Sequence, residues 1–193
     1  MFGRAKNADW EYEIPGSALR YRFARPSGME TDKPFHCGDE DWSREINDYV
    51  NSQRWAGNEL VTPLEFGLDG QSVGFAFVVR SKKGFPTNAG PDKAHYQYIT
   101  YLGINTGFQR GEDPTSGLRF SKLMFHVIEG LPREVLKNRE VVGQVVGLML
   151  EVAVDNIKAI RCYERNGFQR DESRPPFQSS AGIFSIHMRK LFE

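Results

Sequence analysis

The feature that most constrains this chain is a change of hydrophobic period between Val146 and Gly167. Val146, Leu148, Leu150, Val152 and Val154 alternate along a long strand. Asp155 or Asn156 then supplies a helix cap, and Ile157, Ala159, Ile160 and Tyr163 recur at helical spacing. Gly167 supplies the stop. A strand that runs straight into a crossover helix belongs to a sheet with parallel neighbours and helices packed on it.

The rest of the chain fits around that unit. Leu19, Tyr21 and Phe23 alternate with Arg20 and Arg22, which predicts a first strand at Leu19–Ala24. Asp39 or Asp41 can cap a helix carrying Trp42, Ile46, Tyr49 and Val50. Leu60–Phe66 and Ser72–Arg80 read as strands joined at Gly67–Gly70, where Asp69-Gly70 is a hairpin signal. Ser81–Lys93, with its prolines, glycines and lysines, reads as a loop. Tyr96, Tyr98, Thr100, Leu102 and Ile104 share one face of a further strand. Phe120, Leu123, Met124, Val127 and Ile128 predict a helix that Gly130 can end, with Leu131–Arg139 a second short helix or loop. Phe184–Leu191 is the last expected strand. Hairpins early and crossovers late predict an α/β (α+β) chain: a mixed, mostly antiparallel sheet with helices on both faces. Residues 1–18 read as an arm and 19–193 as a single domain, within the usual size for one core.

Charge narrows the partners. Lys plus Arg and Asp plus Glu each number 25, so net charge gives no basis for coating nucleic acid or an acidic membrane. Cys37 and Cys162 have no metal-ligand spacing and read as reduced thiols. No apolar run approaches the ~20 residues of a membrane span, and the start lacks a signal-peptide pattern. A cytoplasmic location is the expectation. His36, His126 and His187 are isolated, so no metal is expected.

Two stretches carry chemistry. In the first, Leu102–Arg119, a strand enters a loop with Gly107, Gly111 and Gly117, and the loop opens a helix. Unpaired amides at a helix N-terminus and the helix dipole suit an anion. Arg110, Arg119 and Lys122 can add charge-assisted contacts; an ordinary connection with solvated charges is the other reading. The second stretch runs from Leu150 to Phe168: a strand, Asn156, the Ala159-Ile160 pair, Tyr163, then Gly167-Phe168.

This second stretch resembles the late motif of the GNAT acyltransferase superfamily, and the preceding loop is similar to the pyrophosphate loop of that family. Gln109 matches the first position of that loop; Gly111 then comes early and an insertion precedes Gly117. The resemblance implies a splayed parallel strand pair and acetyl-CoA as cosubstrate. It implies pantetheine pairing with the backbone at Leu102 and Ile104. It also implies pyrophosphate held by the loop that contains Gln109, Arg110, Gly111, Gly117, Leu118 and Arg119. Asn156 is implied at the pantetheine or the strand end, and Tyr163 as the acid that protonates the leaving thiolate; a core aromatic is the alternative for Tyr163. No base is assigned: Glu65, His95, Tyr96 and Tyr98 are candidates.

The expected reaction moves an acetyl group to a primary amine in a ternary complex, on a small-molecule or peptide acceptor. Phe35–Asp39 resembles the start of GNAT toxins that acetylate aminoacyl-tRNA, where Cys-Gly precedes the first helix. Acidic Asp39, Glu40, Asp41 and Glu45 around that helix argue against an RNA surface, and tRNA is the nucleic acid left open. A degenerate domain that binds acyl-CoA without catalysis, or mediates an interaction, is the third reading. A homodimer stays open.

Overall fold

The computed structural model describes residues 11–23, 36–38, 40–51, 61–79, 95–135, 145–178 and 182–192. The Ser81–Lys93 loop, residues 1–10 of the arm and Asp39 lie outside the described residues. The chain divides into two compact units, Met1–Val78 with Tyr101–Val127, and Val79–Thr100 with Ile128–Glu193.

In the first unit β1 (Glu11–Glu13), β2 (Arg20–Phe23), β3 (Val61–Leu68) and β4 (Gln71–Val79) are successive sheet neighbours; β5 (His95–Ile104), next in the order, has His95–Thr100 in the second unit and Tyr101–Ile104 in the first. β1 lies within the stretch read as an arm and pairs antiparallel with β2, Tyr12 opposite Tyr21. Their rings stack at 5.1 Å, a cross-strand aromatic pair. The β3–β4 turn is Asp69-Gly70, with φ of 49° and 76°. Positive φ at both positions is the twist that a two-residue hairpin requires. Helix α1 (Glu40–Asn51) places Asp41 in its first turn, paired with Arg44, and not at the cap. Ile46 of α1 packs with Phe75 and Phe77 of β4, with Tyr49 edge-on to Phe77 at 4.9 Å.

In the second unit the order continues from β5 to β6 (Val145–Ala153), β9 (Phe184–Leu191) and β7 (Gln169–Arg170), with β8 (Phe177–Gln178) on β9. β5 and β6 are parallel and in register from His95↔Val145 to Ile99↔Leu150, with an irregularity after His95. β6 and β9 are antiparallel through Ala153↔Ser185. The fold is therefore α/β, with a mostly antiparallel sheet and one parallel pair.

Two sequence expectations change. β6 ends at Ala153, and Val154 is an exposed turn residue rather than the last strand position. Helix α2 (Phe120–Val135) runs through Gly130 and Pro132 instead of stopping. Glycine costs a helix only about 1 kcal/mol against alanine, and the apolar stripe continues at buried Leu131. Strands β1, β7 and β8 were not anticipated; each is too short to show a period.

Candidate active site

The loop from β5 to α2 lies in the first unit, and its backbone donors can be followed one by one. Asn105 N–H donates to Val73 O and Thr106 N–H to His36 O, each at 2.8 Å. A short 3₁₀ turn, Thr106–Phe108, follows. The Gln109 side chain donates from Nε2 to Cys37 O at 2.5 Å and to Ile104 O at 3.1 Å. His36 N–H donates to Asn105 Oδ1 at 2.9 Å, and Cys37 N–H to Ser43 Oγ at 3.0 Å. The His36–Gly38 segment is thus fastened to both the loop and α1, so the Cys-Gly pair acts as a packing joint. Arg110 is exposed at φ 63°. Gly111 donates to Phe108 O, and a Cβ there would stand 3.0 Å from the Phe120 ring. That close approach lets Phe108 and Phe120 meet edge-on at 5.8 Å.

The inserted residues fold around a carboxylate of their own. Asp113 is 1% exposed. Its Oδ1 accepts from the amides of Ala18 and Leu19 at 2.8 and 3.0 Å. Its Oδ2 accepts from the amides of Thr115 and Ser116 and from Ser116 Oγ, at 3.2, 2.7 and 2.8 Å. Burial alone would raise its pKa; the hydrogen bonds from Ser116, Ser17 and Leu19 outweigh burial and hold it at about 2. This is the arrangement of an anion nest with the anion supplied by the chain itself. Gly117, at φ 67°, donates to Asp113 O, and Leu118 donates to Ser116 Oγ. Glu112 and Arg119 then form a single antiparallel bridge into α2. The amides of Gly111, Gly117 and Leu118 are therefore engaged inside the chain. Among the described residues, those of Arg119 and Ser121 have no acceptor at the start of α2. Arg110, Arg119 and Lys122 are exposed around that start. Leu102 and Ile104 are half-buried on β5.

In the second unit, β6 turns into α3 (Ile157–Arg165). Asn156 is the N-cap, its Oδ1 accepting from Ala159 N–H at 3.1 Å. The C-terminus is a Schellman motif: Gly167 N–H donates to Glu164 O, and Phe168 N–H to Tyr163 O, each at 3.0 Å. Gly167 takes φ 87°, which a side chain disfavours. The Tyr163 and Phe168 rings meet at 5.9 Å, the apolar contact that accompanies such a cap. Tyr163 is half-buried, and no α3 residue is fully buried. Val154 and Ile157 stand exposed at the strand-to-helix corner. Cys162 is half-buried and its carbonyl accepts from Asn166 Nδ2.

No family model and no curated protein matches the chain. Solved structures do. AAC(6')-Ib in complex with ribostamycin and coenzyme A is 18% identical, with a TM-score of 0.57 over 90% of this chain and 93% of that one. The ribosomal-protein-S18-alanine N-acetyltransferase from Escherichia coli is 17% identical, with a TM-score of 0.51 over 90% and 93%. A spermidine N-acetyltransferase chimera from Vibrio cholerae and hSSAT is 14% identical, with a TM-score of 0.54 over 91% and 96%. The chain has the GNAT acetyltransferase fold.

Within this GNAT fold the base candidates separate. Glu65 is 14% exposed and bound to Arg22 at 2.5 Å. Tyr96 is buried, Tyr98 half-buried, and the His95 side chain lies outside the described residues. Sequence reasoning missed a different pair, Glu151 on β6 opposite His187 on β9, with His187 Nε2 at 3.2 Å from Glu151 Oε1. Desolvation lowers the His187 pKa against the pull of Glu151. The signal was present in part, as a lone carboxylate in an apolar strand, but only strand pairing names its partner. Among the described residues no group of His, Cys, Asp and Glu is placed to hold a metal, and no helix is long and apolar enough to cross a membrane.

Proposed function

We propose that this chain is an N-acetyltransferase that moves an acetyl group from acetyl-CoA to a primary amine on a small-molecule or peptide acceptor, in the cytoplasm. The observation that carries the reading is the β6–α3 corner: a strand of the parallel pair, an Asn156 cap, and Tyr163 on the helix that follows. The β5–β6 register ends at Ile99↔Leu150 while both strands run on beyond it.

The β5–α2 loop suits the cosubstrate. Amides of Arg119 and Ser121 at the α2 N-terminus, with Arg110, Arg119 and Lys122, suit the diphosphate. Backbone at Leu102 and Ile104 suits the pantetheine amides. In the reaction a backbone amide near Leu102–Ile104 stabilises the oxyanion as the amine attacks. The Tyr163 hydroxyl gives its proton to the departing thiolate.

The Asp113 nest favours a second reading. Two amides of this loop, Thr115 and Ser116, already serve this carboxylate, together with those of Ala18 and Leu19 ahead of β2, which suits a domain with weak acyl-CoA binding and no turnover. Calorimetry with acetyl-CoA, followed by thiol release with ribostamycin, spermidine and an alanine-terminated peptide, separates the two. Binding with turnover supports the enzyme; acetyl-CoA binding without turnover, or no binding, supports the second reading.

A further inference from the structure

The β1–β4 part of the first unit carries a groove of about 590 Å³ that the proposed reaction does not use. Strand register builds it. Arg20 stands opposite Glu13 on one side and Gly67 on the other, and Arg22 stands opposite Glu65. Alternation puts these residues on one face of the sheet, while Tyr21 and Phe66 are buried toward the other. Ser17 and Ala18 line the groove ahead of β2, and Asp69 to Ser72 line it at the β3–β4 hairpin. Its two ion pairs differ in strength. Arg22 and Glu65 meet at 2.5 Å with side chains 35% and 14% exposed, whereas Arg20 and Glu13 meet at 3.5 Å with side chains 57% and 76% exposed. A pair as open as the second holds little and yields readily to a ligand. Asp69 is exposed with no partner among the described residues, and Ser72 Oγ is buried with none.

The charges of the lining specify an occupant. Three carboxylates, Glu13, Glu65 and Asp69, face two guanidiniums, Arg20 and Arg22. Arg22 and Glu65 satisfy each other. An occupant that opens the Arg20–Glu13 pair must therefore offer a carboxylate to Arg20 and a cation each to Glu13 and Asp69. An α-amino acid with a cationic side chain has that set of groups, and its single net positive charge balances the net negative charge of the lining. Both walls of the groove are tied to the β5–α2 loop. On one wall, Ala18 N–H and Leu19 N–H donate to Asp113 Oδ1 at 2.8 and 3.0 Å. On the other, Ser72 O accepts from Asn105 Nδ2 at 2.7 Å, and Val73 O from Asn105 N–H at 2.8 Å. A ligand that braces Ala18 against Ser72 thus braces the loop as well, and lowers the ordering cost met by a second ligand that uses the loop.

We propose that this groove is an effector site for a cationic α-amino acid, and that its occupancy is relayed through Asp113 and Asn105 to the cosubstrate loop. The relay rests on the acetyltransferase reading; the site itself does not. Calorimetry on the full chain tests the site first, with L-arginine, its methyl ester and L-glutamate as probes. L-arginine is expected to bind, and L-glutamate, of opposite net charge, to bind at least about tenfold more weakly. Asp69→Asn keeps the shape of a residue that tolerates φ 49° and should weaken L-arginine about tenfold. Arg20→Gln should weaken it about as much, and should leave the methyl ester, which lacks the carboxylate, unaffected within about twofold. Acetyl-CoA is then titrated with and without saturating L-arginine. Its affinity should rise about fivefold, and acetyl-CoA should raise L-arginine affinity by the same factor, as linkage requires. No L-arginine binding, or binding that neither substitution weakens, overturns the site. Binding that leaves acetyl-CoA affinity unchanged or lowers it overturns the relay. Acetylated L-arginine in a turnover mixture would make it an acceptor and overturns the effector role. Wild-type protein that binds L-arginine but not acetyl-CoA overturns the acetyltransferase reading, and the relay with it, and supports the site.

Discussion

At the residue scale, Tyr163 and Asp113 show how one side chain answers to two demands. The Tyr163 ring closes the α3 cap against Phe168, and its hydroxyl is the part that the proposed chemistry uses. Tyr163→Phe should therefore lower kcat about 10²-fold while acetyl-CoA affinity and thermal stability change little. Near-normal turnover would assign the proton to another donor, and unfolding would return the hydroxyl to a structural role. Asp113 is held by four amides and a hydroxyl. Asp113→Asn turns an NH₂ group toward donors, so urea unfolding should show a loss of about 2–3 kcal/mol. A loss below 0.5 kcal/mol would mean that the nest reforms around the amide oxygen or water.

At the scale of elements, caps rather than buried area define α3. No residue of that helix is fully buried, so its ends matter more than in a core helix. Asn156→Ala removes the acceptor for Ala159 N–H and should cost about 1 kcal/mol. Gly167→Ala forces a Cβ into φ 87° and should cost about 1–2 kcal/mol. Equilibrium denaturation of both variants checks this; if neither shifts the midpoint, α3 is held by its sides after all. The α2 entrance gives a functional counterpart. Gly117 has open space around its missing Cβ, so Gly117→Asp adds negative charge beside Arg119 without a steric clash, at some cost in stability because its φ of 67° strains any side chain. Acetyl-CoA affinity should fall more than tenfold, about 1.4 kcal/mol. Unchanged calorimetric affinity with the fold intact would place the phosphates away from α2.

At the scale of the whole molecule, acid stability follows from the two buried aspartates. Asp113 is lowered from 3.8 to about 2, and Asp171 is lowered as Ser173, Arg189 and Arg174 outweigh its burial. A depressed carboxylate stabilises the fold fully above its unfolded pKa and loses that contribution as pH falls through the folded value. Stability should thus be flat with respect to these groups above about pH 5 and decline between about pH 4 and 2, with Asp113 contributing on the order of 2 kcal/mol. Urea midpoints measured across that range should show the decline, and Asp113→Asn should flatten part of it. A variant profile parallel to the wild type would shift the acid response onto other carboxylates.

The local elements were legible because their signals are local. The Val146–Gly167 change of period, a cap at Asp155 or Asn156, Gly167 as stop, Asp69-Gly70 as hairpin and Phe184–Leu191 as final strand each depend on residues within one turn or one pleat of each other. The parallel β5–β6 pair followed from element order and from the resemblance carried by Asn156–Phe168. What the loop amides do was not legible. Residues 102–119 read as a glycine-containing anion site, but the partner of Asp113 is the Ala18–Leu19 backbone, 95 and 94 positions away. Glu151 and His187 likewise sat in the sequence as an odd charge and an isolated imidazole until antiparallel register put them opposite each other. Period and caps are set by neighbours along the chain; the partner of a polar group is set by whatever strand or loop the tertiary fold brings against it.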